Sequence, residues 1–417
     1  MPIVRPFRAV RYNIEKLKDL SRVVAPPYDI ILKDMQDRLY RASPNNVVRL
    51  ILNKTTPKDT RSDNRYTRAK KFFDLWIRKN VLIRDRTDSF YIYSQKYKYG
   101  DRDVEQVGFV GLMGLEMGAK DKVLPHENTL AAPKKDRLDL TCAVRANLEP
   151  IFVLYDDGNV TKLLKKCCAQ EKAIIDVKWE KVRHRVWKID DPTAIGAIEA
   201  HMKGKDIFIA DGHHRYEVAK MYAEESPDSA SKYIMVYFVE ADEDTLTVLP
   251  AHRLIKEMKG LKKDDIIARL SEFFRLEKAP GLSKMMDALK GLSAKHAFGM
   301  YLGKGNFYIL RLKNIEASDS VIEGKPEAWK HLDVSILHLF IFQHILGVRD
   351  DDDNIDFLKD PTKVVKAVDS GKFGSAFFLN PTKVSEVKKI AKMGERMPRK
   401  STYFYPKQLS GLVINKF

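Results

Sequence analysis

The segment FIADGHHRYEVAKMY, residues 208–222, most restricts how this chain can fold. Ile207 to Ala210 is a short run of β-branched and aromatic side chains, which is typical of a buried strand. Gly212 follows, and glycine permits the backbone conformation that a sharp turn requires. Apolar residues then recur at helical spacing and place Val218 and Tyr222 on one face. The sequence therefore predicts a strand, a tight turn and a helix.

The predicted turn carries four polar side chains: Asp211, His213, His214 and Arg215. The unpaired N–H groups and the dipole of a helix N-terminus favour an anion, and Arg215 adds a planar cation suited to phosphate oxygens. Adjacent histidines do not share a helix face, so they make a poor pair for one metal ion. Three interpretations stay open: an anion site, a metal site, or an ordinary strand–turn–helix in which Asp211 caps the helix.

The rest of the chain alternates strand and helix patterns and contains no internal repeat. With 417 residues, it is long enough for two or three domains. We predict a mixed α/β fold, with mixed sheets and flanking helices, in which the strand–turn–helix forms the core of residues 1–260. Residues 261–417 are predicted to form a second, C-terminal α/β part.

Composition narrows the class of partner. The net charge of +17 favours anions, either nucleic acid over a broad surface or phosphorylated small ligands in a pocket; a lysine-rich surface that keeps the protein soluble is the third interpretation. The basic residues are spread along the chain, which argues against nucleic acid. No apolar run reaches membrane-spanning length, and the N-terminus lacks the pattern of a secretory signal. Together with three cysteines in no disulfide or zinc spacing, this predicts a cytoplasmic protein with small-molecule partners and no membrane contact.

Local patterns give further structural predictions. Residues 43–52 indicate a turn that leads into a buried strand, and Asn64 is the predicted cap of the helix after it. The GDRD tetrapeptide, residues 100–103, should join two strands as a hairpin. Val123 to Leu140 is predicted as a loop, and residues 333–347 as an amphipathic helix.

The predicted loop contains a second group of polar residues in the tetrapeptide HENT: His126, Glu127, Asn128 and Thr129. Loops that a rigid scaffold positions often carry function. Glu127 is our candidate for a general base, because an acid in such a loop can be set against a bound hydroxyl. The alternative is a solvated turn in which Asn128 caps local backbone.

Three more places offer ligand contacts. Arg253 is predicted just after a strand, where its cation could reach the same ligand, although an exposed strand end is the alternative. Ser401 and Lys407 are predicted on a strand with a hydroxyl-and-lysine edge that could bind phosphate or an amino acid, and an ordinary half-buried strand is the alternative. The acidic run at residues 349–354 could attract a metal ion, but such runs are more often solvated loops.

Several of these motifs carry a resemblance to known families. The strand–DGHHR–helix segment resembles the nucleotide- or phosphate-binding box of the ParB and sulfiredoxin superfamily, which includes a free-serine kinase. Across nearly the whole chain, the ordered motifs resemble the bacterial and archaeal family catalogued as domain of unknown function ten-fifteen. The motifs are RPFRAVRYN, VVAPPYDII, SPNNVVRLIL, LPHENTL, ANLEPIFVLYDD, FIADGHHRYEVA, LPAHRLI and MPRKSTYFYPK.

This resemblance implies a kinase that converts free L-serine to O-phosphoserine, with Mg2+ and with pyrophosphate or ATP or ADP as donor. The chain has no P-loop motif, which ranks pyrophosphate above a nucleotide. Asp211 would hold the metal ion or accept the hydroxyl proton, and His213 or His214 would donate to the leaving phosphate. The implied phosphate-binding residues are Gly212, Arg215, Arg253 and Lys407, and the implied substrate-binding residues are Asp29, His126, Asn128, Thr129 and Ser401.

The alternative function is a ParB-like protein that uses a bound nucleotide to regulate contact with DNA. The chain has no recognisable helix-turn-helix after the DGHHR segment, and its basic residues are scattered. Both observations favour the enzyme.

Overall fold

The computed structural model describes residues 3–116, 122–256, 260–348 and 354–417. It has the predicted mixed α/β class, and it divides into two compact units. The first unit comprises residues 1–125, 129–246 and 406–417, and the second comprises residues 126–128 and 247–405. The boundary predicted at residue 260 stays a prediction, and residues 349–353 of the acidic run lie outside the described residues.

The strands are β1 (Val4–Arg5), β2 (Val10–Tyr12), β3 (Leu82–Arg84), β4 (Phe90–Tyr99), β5 (Arg102–Gly114), β6 (Val123–Leu124), β7 (Ala146–Asn147), β8 (Ile151–Tyr155), β9 (Ile175–Trp179), β10 (Val182–Ile189), β11 (Ile207–Asp211), β12 (Tyr233–Glu240), β13 (Thr247–Val248), β14 (His252–Ile255), β15 (Phe274–Ala279), β16 (Ala297–Tyr301), β17 (Phe307–Leu312), β18 (Ile355–Leu358), β19 (Ser375–Phe378), β20 (Phe404–Tyr405) and β21 (Asn415–Lys416).

The α-helices are α1 (Lys33–Ala42), α2 (Val48–Ile51), α3 (Arg65–Arg78), α4 (Ala131–Val144), α5 (Gly158–Gln170), α6 (Pro192–Met202), α7 (His213–Glu225), α8 (Lys263–Phe273), α9 (Leu282–Gly291), α10 (Glu316–Asp319), α11 (Glu327–Lys330), α12 (Asp333–Ser335), α13 (Pro361–Asp369) and α14 (Val384–Lys392). Short 3-10 turns span Leu20–Arg22, Tyr28–Ile30 and Ser229–Lys232, and a π-helix spans Ile336–Ile345. Among the helices of the described residues, none combines the length and apolar character that a bilayer crossing requires.

A nine-stranded mixed sheet forms the centre of the first unit, in the order β6-β11-β8-β12-β5-β4-β10-β9, and β1 pairs with β5. β11 runs parallel to β6, β8 runs parallel to β12, and the remaining pairs of this sheet are antiparallel. Ile207 and Ile209 of β11 are fully buried and pack in the core with Tyr216 of α7. The burial of these apolar side chains fixes β11 in the sheet and α7 against it.

The second unit contains a six-stranded antiparallel sheet in the order β15-β17-β16-β19-β14-β18, with β13 and β20 paired separately. The π-helix is buried almost all round, and its side chains pack with those of β16 and β17 in one apolar core. This corrects the amphipathic helix predicted at residues 333–347: a helix with apolar residues on every side belongs inside a core. Arg253 also differs from its prediction, because it lies within β14 rather than after a strand.

Residues 43–52 were predicted to form a turn that leads into a buried strand, and the structure has the short helix α2 in place of that strand. The buried residues Val48, Leu50 and Ile51 read equally well as strand or helix, because a short apolar run carries no clear period. The Asn46 side chain accepts the Val48 N–H at 2.9 Å and donates to the carbonyl oxygens of Arg22 and Val24. These hydrogen bonds from Asn46 fix the turn that precedes α2.

The loop predicted from Val123 to Leu140 is also partly wrong. β6 occupies its first two residues, and α4 begins at Ala131. Pro133 falls within the first turn of α4, where a missing N–H costs no intrahelical hydrogen bond. Irregular backbone is therefore confined to residues 125–130.

Two local predictions are confirmed. Asn64 caps α3 through its side-chain oxygen, which accepts the N–H groups of Tyr66 and Thr67. β4 and β5 form the predicted antiparallel hairpin, and Gly100 makes its turn with a φ of +58°. Both features depend on a few neighbouring residues, which explains why the sequence was sufficient.

Candidate anion-binding site

The DGHHR segment forms the strand, turn and helix that the sequence predicted. β11 ends at Asp211, Gly212 turns the chain, and α7 begins at His213. The pairing of β11 with β8 shifts register between Ile209 and Asp211, which indicates a β-bulge just before the turn. Because a bulge changes the direction in which the next side chain points, it sets the direction of the Asp211 carboxylate.

Gly212 is required at the turn for two reasons. Its φ of +92° lies in the left-handed region that other residues rarely adopt. A Cβ atom at this position would also lie 2.9–3.0 Å from the guanidinium atoms of Arg215. The absence of a side chain at residue 212 therefore lets Arg215 fold back over the turn at the N-terminus of α7.

The Asp211 carboxylate is held between two cations. Arg215 Nη2 donates to one carboxylate oxygen at 2.8 Å, and Lys407 Nζ donates to the other. All three side chains are nearly buried, with exposed fractions of 9–12%. Burial opposes ionisation, but Lys407 and Arg215 outweigh it and lower the pKa of Asp211 to about 2. Asp211 is therefore a fixed negative charge at neutral pH.

Glu149, a second buried acid, interacts electrostatically with Arg215. Its carboxylate accepts the Tyr28 N–H at 3.1 Å and the Ser410 hydroxyl at 2.8 Å, while Arg215 also donates to the carbonyl of Pro150. Burial raises the pKa of Glu149, although Arg215 acts in the opposite direction. Glu149 was not among the predicted site residues, because the sequence shows only an acid followed by a proline just before a fully buried strand.

The Tyr28 ring and Arg137 complete this side of the site. The Arg137 guanidinium lies 3.9 Å from the centre of the Tyr28 ring and donates to the Ile51 carbonyl at 2.7 Å. Burial raises the pKa of Tyr28 to about 12, so its hydroxyl is protonated at neutral pH. Asp29 is exposed next to it and acts electrostatically on both Arg215 and Glu149.

The two histidines of the motif differ in their surroundings. His213 is buried, with an exposed fraction of 5%, and its charge would help to lower the pKa of Asp211. His214 is half-buried, and its Nε2 accepts the backbone N–H of Leu130 at 2.9 Å. This contact holds the N-terminus of α4 against α7, which gives His214 a structural task. Thr129, the residue before Leu130, is half-buried in the same unit.

A small cavity of about 50 Å3 lies beside Arg215, between α4 and α7. Arg137, Glu149 and Arg215 line it together with apolar side chains such as Val218 and Tyr222. The charged residues of the site therefore border a partly apolar space within the first unit.

The other predicted site residues belong to the second unit. His126 is fully buried, and its Nε2 lies 3.0 Å from the Thr402 hydroxyl; Glu127 is half-buried, and Asn128 is exposed. β20 covers only Phe404–Tyr405, so Ser401 and Lys407 do not share the strand edge that the sequence predicted.

Ser401 is buried and donates to the Pro398 carbonyl at 2.5 Å. Arg253 is also fully buried, and its guanidinium donates to His338 Nε2 at 2.9 Å and to the carbonyl oxygens of Ala251 and Lys400. These contacts indicate a structural role for Arg253, so we propose no phosphate contact for it.

Comparison with protein families matches residues 4–335 to the family described as Protein of unknown function (DUF1015). The chain belongs to this family. A search of curated proteins finds no match. Eight chains of solved structures match at the level of fold.

A mutant free serine kinase in complex with AMP has a TM-score of 0.37 and 13% identity, with 71% of this chain and 87% of that chain covered. SbnI with a C-terminal truncation from Staphylococcus aureus has a TM-score of 0.37 and 13% identity, with 73% and 86% covered. A conserved hypothetical protein from Pyrococcus furiosus has a TM-score of 0.35 and 13% identity, with 70% and 89% covered. Because these TM-scores lie below 0.5, we argue function from the site alone.

Proposed function

We propose that this protein is a phosphotransferase that phosphorylates the hydroxyl group of free L-serine, with pyrophosphate or a nucleotide as phosphate donor. The observation that supports this most is the buried cluster of Asp211, Lys407 and Arg215 at the N-terminus of α7. Phosphoryl transfer depends on fixed positive groups around the donor, since catalysis is largely positioning and charge stabilisation.

The charge of this cluster favours an anion. Among Asp211, Lys407 and Arg215, one carboxylate faces two cations, and the N-terminus of a thirteen-residue helix adds its positive dipole end. In our proposal, donor phosphate oxygens bind the first backbone N–H groups of α7 and share Arg215 and Lys407 with Asp211. A buried site excludes water and strengthens each of these interactions.

The low pKa of Asp211 bears on which acid accepts the serine proton. A carboxylate with a pKa of about 2 is a weak base at neutral pH, because general-base catalysis is most effective when the pKa lies near the working pH. We therefore propose Glu127 as the base and Asp211 as the group that holds Lys407 and Arg215 in position. His213, buried next to Asp211, is our candidate for the proton donor to the leaving phosphate.

The residues of this cluster do not fit a magnesium site formed by the protein alone. Both oxygens of Asp211 already accept hydrogen bonds from cations, and no three His, Cys, Asp or Glu residues in the described ranges are spaced to hold a metal ion. Mg2+ usually binds through one or two carboxylates together with substrate phosphates. We therefore assign no step of the reaction to a metal ion held by Asp211.

A donor screen tests the proposal. Purified protein is incubated with L-serine and, in parallel, with pyrophosphate, ATP or ADP, each with and without magnesium, and O-phosphoserine is measured. Both nucleotide donors are included because the positive groups of the site suit the phosphates of pyrophosphate and of a nucleotide alike. We expect phosphoserine with at least one donor, and its absence with all of them would contradict the proposal.

Measuring donor affinity in variants of Arg215 tests whether the phosphate donor binds at this site. Arg215→Ala should weaken donor affinity by about 1.5–3 kcal/mol, the usual cost of losing a hydrogen bond to a charged group. The matched control is Arg183→Ala, which removes an exposed arginine paired with Asp176 on the surface of the same unit. If the two variants bind the donor equally well, the anion site lies elsewhere.

A further inference from the structure

A second polar cavity lies wholly within the second unit, and we call it the His296 pocket. Its volume is about 390 Å3, and its walls come from residues 293–296, 327–333 and 380–390. A cavity of this size is in the range of small-molecule sites in proteins. None of its lining residues belongs to the Asp211 cluster, so the phosphotransferase proposal leaves the pocket without a role.

Two histidines line the His296 pocket, and each pairs with an aspartate, of which Asp333 also lines the pocket. His296 Nδ1 lies 2.9 Å from an oxygen of Asp333, and His331 Nε2 lies 3.1 Å from an oxygen of Asp319. The two imidazole rings are 6.2 Å apart. A carboxylate paired with one ring nitrogen fixes the orientation of the imidazole. His296 also has a φ of +44°, a strained backbone for a non-glycine residue that is common at binding sites.

The inner wall of the pocket is rich in carboxylates. Glu386 is half-buried and accepts the Lys383 N–H at 2.8 Å. Burial raises the pKa of Glu386, and the nearby charge of Asp333 raises it further. The carboxylates of Asp333 and Glu386 line the same concave site, and this arrangement attracts a cation from solution. At the rim, Lys383 and Lys389 expose their side chains, which favour an anion.

The cation that suits this wall is an ammonium group. Within the described parts of the chain, no group of three His, Cys, Asp or Glu side chains has the spacing to hold a metal ion. An ammonium group needs only hydrogen-bond acceptors placed around it, and an acidic wall with a lysine rim matches a molecule that carries both charges. We propose that the His296 pocket binds a small α-amino acid, with its ammonium group at Asp333 and Glu386 and its carboxylate at Lys383 and Lys389.

Calorimetric titration of the full chain tests this proposal with glycine, L-alanine and L-serine as probes. Ethanolamine and lactate, which carry only one of the two charges, serve as comparison ligands. Glu386→Gln removes the charge but keeps an oxygen that can accept the Lys383 N–H, and Lys389→Met removes a rim cation without touching that bond. Asp287→Asn on α9, an exposed acid outside the pocket lining, is the matched control.

We expect at least one amino acid to bind more tightly than either comparison ligand. Glu386→Gln and Lys389→Met should each weaken that binding about tenfold or more, while Asp287→Asn should not change it. The same binding should persist in Arg215→Ala, which impairs the anion site of the first unit. Three results would overturn the proposal: no amino acid binds, Arg215→Ala abolishes the binding, or both pocket variants bind as wild type does. Because the readout is binding, these results are independent of phosphoserine formation.

Discussion

Replacing Asp211 by asparagine removes the one negative charge that two buried cations share. In the folded protein the pKa of Asp211 falls from its ordinary value of 3.8 to about 2. At about 1.4 kcal/mol per pKa unit, that difference corresponds to about 2 kcal/mol of folding stability at neutral pH. Asparagine would also remove the carboxylate that pairs with both Lys407 and Arg215, and breaking a buried ion pair typically costs about 3–5 kcal/mol.

The pH dependence of this stability has a definite sign. Asp211 binds its proton less readily in the folded state, so the ionised carboxylate stabilises the fold above the unfolded pKa, near about 4. That contribution is lost as the pH falls from there through the folded pKa of about 2. The difference between wild type and Asp211→Asn should therefore be constant near neutrality and should narrow below about pH 4.

Denaturant unfolding of both proteins, repeated at several pH values, measures this difference. Because the chain has two compact units, the transition of the first unit should be followed separately, for example by hydrogen exchange of β11. Asp103→Asn, which removes an exposed acid in the same unit, is the control and should cost little. If Asp211→Asn were as stable as Asp103→Asn at neutral pH, the ion cluster would not stabilise the fold as argued.

Three further predictions concern single residues, the last of them our proposed base. Gly212→Ala should destabilise the first unit by about 1 kcal/mol or more in thermal unfolding and weaken pyrophosphate binding in titration, because a Cβ there is strained and displaces Arg215. Burial raises the pKa of Glu149 in the folded protein above its value in the unfolded chain, so wild-type stability should decline as the pH rises above the unfolded-chain value. Melting curves of Glu149→Gln should lack that decline. Glu127→Gln should lose about a hundredfold or more in phosphoserine turnover while donor affinity stays unchanged.

The strand, turn and helix of the DGHHR segment could be predicted because their signals are local. The apolar run of β11, the glycine at the turn and the helical spacing of Val218 and Tyr222 all lie within sixteen neighbouring positions. The errors also have a local cause: in α2 the burial of every apolar residue hid the helical period, and Pro133 suggested a loop although it lies in the first turn of α4.

Lys407 as a partner of Asp211 and Tyr28 as a partner of Glu149 could not be predicted from the sequence, because they lie far away in the chain. Lys407 reaches Asp211 from 196 residues away in the chain, and Glu149 accepts from Tyr28, which is 121 residues away. The sequence could suggest that Lys407 contacts phosphate, but nothing in its neighbourhood indicated a carboxylate partner. From the sequence, Asp211 could be a base, a metal ligand or a helix cap, and only the folded contacts provide the two cations that lower its pKa.

The position of Lys407 depends on hydrogen bonds to its own backbone and to that of a near neighbour. Gln95 donates to the Lys407 carbonyl at 3.1 Å, and the N–H of Leu409 donates to the Tyr93 hydroxyl at 3.2 Å. Gln95 and Tyr93 are two residues apart on β4, so their side chains leave the same face of the sheet. β4 thus holds the C-terminal segment at two points close to Lys407, whose ammonium group pairs with Asp211. For the anion binding that we propose, a cation held in place in advance would provide electrostatic stabilisation without reorganisation.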